Sequence, residues 1–137
     1  MELHTNLRGR CYSGGGIAMG RPHAYYDARS LMLHRMIAVR LRETPELLAV
    51  GRTTLERWKC VSPNPGTDEE WTVLLASELE SVIEAITADT DEGQRIRQSS
   101  PLLSVLSVTE RDVIRAYAEA EHLATLADEK ETISHDV

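Results

Sequence analysis

Phenylalanine is absent from this chain, and two Trp and four Tyr are its only aromatic side chains apart from His. Leu, Ile, Val and Ala must therefore fill the interior, which favours packed helices over a β-sandwich. Cysteine is scarce: Cys11 and Cys60 stand alone, too few for the disulfide framework of a small secreted scaffold. No hydrophobic run approaches the roughly 18 residues of a membrane span, and the arginines near the N-terminus are not followed by the apolar stretch of a signal peptide. A cytoplasmic location with both thiols reduced is the expectation. Catalytic signatures are missing too. There is no Gly-rich loop between strand and helix, no HExxH, no paired-cysteine motif and no nucleophile elbow. Asp89, Asp91 and Glu92 lack the downstream acid of a calcium loop and better serve helix capping. No catalytic residue, cofactor or metal ligand is expected, and the chain reads as a non-enzyme.

What the sequence does contain is charge, unevenly distributed along 137 residues, a length that suits one domain. Residues 1–59 carry ten Arg and Lys against five Asp and Glu, whereas residues 60–137 carry five against seventeen. Such a split gives one end affinity for polyanions and the other for basic surfaces, unless the charges only solvate helix faces.

Periodicity predicts a single all-α bundle of four to five helices over residues 25–127, with a flexible arm at 1–24 and a frayed acidic tail at 128–137. The arm contains Ser13-Gly14-Gly15-Gly16 and no repeat of apolar positions. Glycine codons begin with GG, so in a bacterial gene these glycines lie where a ribosome-binding site would precede Met19, an alternative start. Helix one is expected from a cap at Asp27 to Glu43, burying Leu33, Ile37 and Leu41, with Met36 and Ala38 alongside. His34 has no partner at metal-ligand spacing and reads as a surface or packing histidine. Thr44-Pro45-Glu46 predicts a bend, and Ser62-Pro63-Asn64-Pro65-Gly66 a break. Trp71, Leu74, Leu75, Leu79, Val82, Ile83 and Ile86 lie on one face of a long third helix opened by Thr67 and Glu70 at capping-box spacing. Asp89 and Glu92 predict the cap of a short helix weakened by Gly93. Gln98 to Leu106 should pack down as a turn or short helix. Ser107 and Glu110 form a capping box for a last helix, Val108 to Ala127, burying Val113, Ile114, Tyr117, Ala118 and Leu123.

Residues 45–59 allow two readings. As one helix they belong to a scaffold that holds a partner. With a turn at Val50-Gly51, LLAVGRTTLERWK is similar to a helix-turn-helix, and Arg52, Thr53, Thr54, Arg57 and Lys59 would meet DNA phosphates and base edges. That alternative makes the chain a small transcriptional regulator.

Three ordered blocks also carry a resemblance. They are Ala28-Arg29-Ser30 with Leu33-His34-Arg35, Ile37-Ala38 and Leu41-Arg42; Pro45-Glu46-Leu47-Leu48 with Leu55-Glu56-Arg57-Trp58; and Arg97-Gln98-Ser99-Ser100-Pro101 with Val105-Leu106 and Glu110-Arg111. Together they resemble a family of short, mostly uncharacterised bacterial helical proteins associated with toxin-antitoxin gene pairs. The chain departs from the family at Leu102-Leu103-Ser104, where an aromatic, a small residue and glycine often stand. The resemblance implies one helix through residues 47–58, and an antitoxin that neutralises a toxin enzyme made from the adjacent gene. Operator DNA is a second candidate partner, through which the chain would repress its own operon; a homodimer is left open and a membrane is not expected. Arg97, Gln98, Ser99, Ser100, Pro101, Leu102 and Leu103 are the candidate partner contact. The acidic second half would suit a basic nucleotide- or RNA-binding cleft.

Overall fold

The structure, a computed structural model, describes the backbone of residues 23–135 and side chains through Glu129. The expected arm, up to Pro22, and the alternative start at Met19 therefore lie outside the described residues, as do the last two residues of the tail. Six α-helices follow one another: α1 (His23–Glu43), α2 (Leu48–Val61), α3 (Pro65–Leu75), α4 (Leu79–Thr87), α5 (Asp91–Arg97) and α6 (Val108–His135). Short 3-10 turns at Pro45–Leu47 and Leu103–Val105 complete the described chain, which contains no strand.

The hub is α1, which packs against α4, α5, α6 and both 3-10 turns. Its predicted stripe is the reason: Ile37 and Leu41 are fully buried and Leu33 nearly so. The helix begins one turn before Asp27, at His23. Glu43 ends it, and Pro45 redirects the chain through the 3-10 turn, since proline restricts the residue before it and cannot donate.

No turn interrupts α2. Gly51 lies inside a continuous helix and is buried against Leu102, whose Cδ2 sits 2.5 Å from where a β-carbon would stand. The glycine leaves room for a side chain from another segment; it does not bend the backbone.

The long third helix is in fact two, separated by residues 76–78. Ser77 donates its hydroxyl to the Val73 carbonyl and its amide to Leu74, and Arg52 on α2 reaches the Leu75 carbonyl at 3.0 Å. Side-chain donors thus take over carbonyls at the end of α3, where the helical ladder stops. Leu75 and Leu79 are four residues apart, so the apolar period passes over the break unnoticed. Packing separates the halves, because α3 lies on α2 while α4 lies on α1. The helix also starts earlier than Thr67 and Glu70 imply: Pro65 opens it, and the Asp68 carboxylate accepts from the Asn64 amide at 2.8 Å.

Thr90, not Asp89, caps α5, accepting from the Gly93 amide at 3.0 Å. The capping box of α6 forms as expected, with Ser107 and Glu110 exchanging amide bonds of 2.9 and 3.1 Å. Glu110 at the start of α6 meets Arg40 late in α1, and Glu119, nearly three turns further on, meets Tyr25 early in α1, so the two helices run antiparallel. Beyond Ala127 the helix continues to His135, where a frayed tail was expected. Its register differs from the sequence reading as well. Ala118 faces α1, while Val113, Tyr117 and Leu123 are 63, 58 and 51% exposed.

Gly93 has a stricter role than any other glycine described. A β-carbon there would lie 2.1 Å from the Ala88 carbonyl oxygen, a backbone atom that cannot rotate away. Gly93→Ala should lower stability by about 2–3 kcal/mol despite the better helix propensity of alanine. Urea denaturation checks this, with a lower midpoint and an unchanged slope expected.

Candidate interaction surface

Most of the predicted partner contact is core. Arg97, Ser99, Ser100, Pro101 and Leu102 are all buried, which leaves Gln98 exposed and Leu103 half-buried. A partner cannot touch the buried five without unfolding the segment, so the Arg97–Leu103 stretch is corrected from a docking loop to an internal brace. Ser99 accepts from the indole nitrogen of fully buried Trp71 at 3.2 Å, and the Ser100 hydroxyl accepts from the Leu102 amide at 3.1 Å. The two serines thus satisfy polar groups that burial would otherwise strand.

Arg97 is the centre of that brace. Its Nη1 donates to the carbonyls of Ile86 at 3.2 Å and Ala88 at 2.7 Å, at the C-terminal end of α4. Those carbonyls carry the negative end of the helix dipole, so a cation suits the position. Burial nevertheless lowers the guanidinium's pKa from its usual value, while Asp89 and Asp27 oppose the shift. Nε and Nη2 are buried and find no hydrogen-bond acceptor.

His34 lies close enough to feel that charge. Only 1% exposed, it donates from Nδ1 to the Ser30 carbonyl at 2.8 Å, which leaves Nε2 as a buried, unpaired acceptor. Burial lowers its pKa to about 4; the Ser30 bond opposes this and the positive Arg97 adds to it. Spacing alone placed His34 at the surface or in packing, and packing is where it is. Nothing in the sequence links it to Arg97.

The five residues considered for DNA contact have separate fates. Arg52 terminates α3, and Thr54 is buried with its hydroxyl 3.2 Å from that of Ser104. Lys59 pairs with Glu56 at 3.0 Å. Thr53 and Arg57 remain exposed. With no turn at Val50-Gly51, no separate helix begins at Arg52 to enter a groove.

Folding also mixes the charge split. Arg40 is held by Glu110, through Nε at 2.7 Å and through Nη2, and by Glu43 at 3.0 Å. Arg42 pairs with Glu80 at 3.3 Å. Basic side chains of the first half are thereby covered by acids of the second. A surplus of acid remains on α3 to α5, where the nine carboxylates of residues 65–97 face two arginines. One of the two, Arg97, is buried, and the other, Arg95, is clamped by Glu70 at 2.6 Å and by Glu92. Glu69, Glu78, Glu84 and Asp91 stay exposed without an ion-pair partner among the described residues.

Among the described residues no group of three or more His, Cys, Asp or Glu is placed to hold a metal, and no helix is long and apolar enough to cross a membrane. Neither a protein-family model, nor a curated protein, nor a solved structure matches the chain. Fold and surface therefore stand by themselves: the described residues form an all-helical structure that exposes unpaired carboxylates on α3 to α5.

The buried histidine makes stability depend on pH. The unfolded chain takes up a proton near pH 6.5 and the folded chain only near 4, so stability is complete above about pH 6.5 and falls as the pH drops toward 4. The loss amounts to about 3 kcal/mol. Glu110, held below the usual carboxylate range first by the Ser107 backbone and then by Arg40, adds a loss only at lower pH. Denaturation between pH 7 and 5 should show the decline in the native chain and its absence in His34→Leu.

Proposed function

We propose that this chain is an antitoxin-like protein, which binds a partner enzyme made from an adjacent gene and occupies its basic nucleotide- or RNA-binding cleft. The observation that carries this reading is the set of uncompensated carboxylates on α4 and α5. Glu78 at the start of α4, Glu84 on α4 and Asp91 on α5 lie on elements braced from beneath by Arg97, and no cation among the described residues pairs with them. Fixed, spaced negative charges of this kind resemble a phosphate backbone in what they offer a basic surface. The ordered blocks shared with the toxin-associated family add support, and the contact moves from Arg97–Leu103 to the helices which that segment supports.

Co-expression with the product of the neighbouring reading frame is the direct test. Growth rescue and a co-purified complex are the expected results. Changing Glu78, Glu84 and Asp91 together to Lys should slow association at least about tenfold and flatten its salt dependence. Absence of rescue by the native chain would refute the function, and equal association by the triple variant would refute the surface.

A further inference from the structure

A groove between the start of α1 and the later part of α6 has no part in the surface proposed above. Ala24, Ala28 and Met32 on α1 and Ala118 and Leu126 on α6 line a cavity of about 440 Å³, a size at which small molecules are held. Three of these five residues are alanines, so the antiparallel helices leave a space that no side chain fills. Tyr25 and His122 wall it, with ring centroids 5.1 Å apart and planes tilted by 56°. The Tyr25 hydroxyl donates to Glu119 at 3.2 Å, which fixes the ring.

Charge in the groove has one sign. Glu121 and Glu129 line it and are exposed at its rim, and among the described residues no Lys or Arg lines it. Glu121 also accepts from the Tyr117 hydroxyl one turn earlier on α6, which orients its carboxylate. Arg29 stacks on Tyr25 and Tyr26 at 5.6 and 5.0 Å, and its place one residue past Ala28 turns it about 100° from that alanine. An anion would meet two carboxylates and no cation, and a neutral apolar molecule would desolvate those carboxylates without a partner.

We infer that this groove binds a linear polyamine, a chain of ammonium groups joined by short alkyl segments. Eight residues separate Glu121 from Glu129, about 12 Å along the helix. A triamine with spacers of three and four carbons spans about 11 Å when extended, given single bonds of about 1.5 Å. Its end ammoniums reach one carboxylate each at the wet rim, while the methylenes cover Ala24, Ala28, Met32 and Leu126. The inner ammonium falls midway, at the level of Thr125. That hydroxyl donates to the Glu121 carbonyl at 3.0 Å and keeps its lone pairs for a donor, and the Tyr25 ring attracts the same charge. The site shares no residue with Glu78, Glu84 and Asp91, so it stands or falls apart from the partner enzyme.

Calorimetric titration of the full chain with spermidine should show saturable one-to-one binding that weakens as salt rises. Glu121→Gln and Glu129→Gln should each weaken it about threefold to fivefold, as the loss of an exposed ion pair does. Ala28→Leu fills the cavity and leaves every charge in place, so it should weaken binding at least about tenfold. Position 28 is exposed, and helix content by circular dichroism should be unchanged. At equal charge, the eight-carbon terminal diamine, about 11 Å between nitrogens, should bind at least about fivefold more tightly than the four-carbon one, about 6 Å. Heats that do not saturate at one equivalent, or undiminished affinity in Ala28→Leu or in either glutamine variant, would overturn the site. Equal affinity for the two diamines would assign the groove to a single ammonium, such as that of a lysine side chain, and overturn the polyamine.

Discussion

One guanidinium ties α5 to the end of α4 beside α1. Arg97 ends α5, and its Nη1 reaches back to the Ile86 and Ala88 carbonyls that finish α4, while its charge is felt by His34 on α1. A cation is expensive to bury, and these two carbonyls offset part of that cost only if α4 and α5 come very close. Gly93 permits that approach, because any side chain there would strike the carbonyl to which Arg97 is bonded. The rest of the segment follows. Ser99 completes the hydrogen bonding of Trp71, and Leu102 enters the space left by Gly51, which ties the brace to α3 and α2.

Arginine plays this part twice, since Arg52 ends α3 as Arg97 ends α4. Both use the affinity of a guanidinium for helix C-terminal carbonyls. Arg40 and Arg42 are engaged by Glu110 and Glu80. Some of the first half's positive charge is thereby matched by acids of the second half, while Glu69, Glu78, Glu84 and Asp91 on and beside α3 to α5 have no such match among the described residues.

Apolar residues occur on both faces of α6. Toward α1 it offers Ile114 and Ala118, and away from α1 it offers Val113, Tyr117 and Leu123. Such a helix has little net amphipathicity, so its periodicity does not say which face the fold buries. Spacing alone therefore predicts Val113 and Tyr117 in the core, and the structure exposes both.

Local chemistry was legible in the sequence: the all-helical class, the stripe of Leu33, Ile37 and Leu41, the bend at Pro45, the break around Pro63 and Pro65, and the Ser107-Glu110 box. Each depends on residues within one or two turns of one another, so spacing and side-chain type suffice. Tertiary structure alone decided the break after Leu75, the burial of Arg97 to Leu102, the role of Gly51, and the outward direction of Val113 and Tyr117. In each of these the deciding atom comes from a distant segment: Arg52 for the break, Ala88 and Ile86 for Arg97, Leu102 for Gly51, and α1 for the register of α6. A period of 3.6 residues describes one helix, whereas the meeting of two is set by three-dimensional approach that no local spacing records.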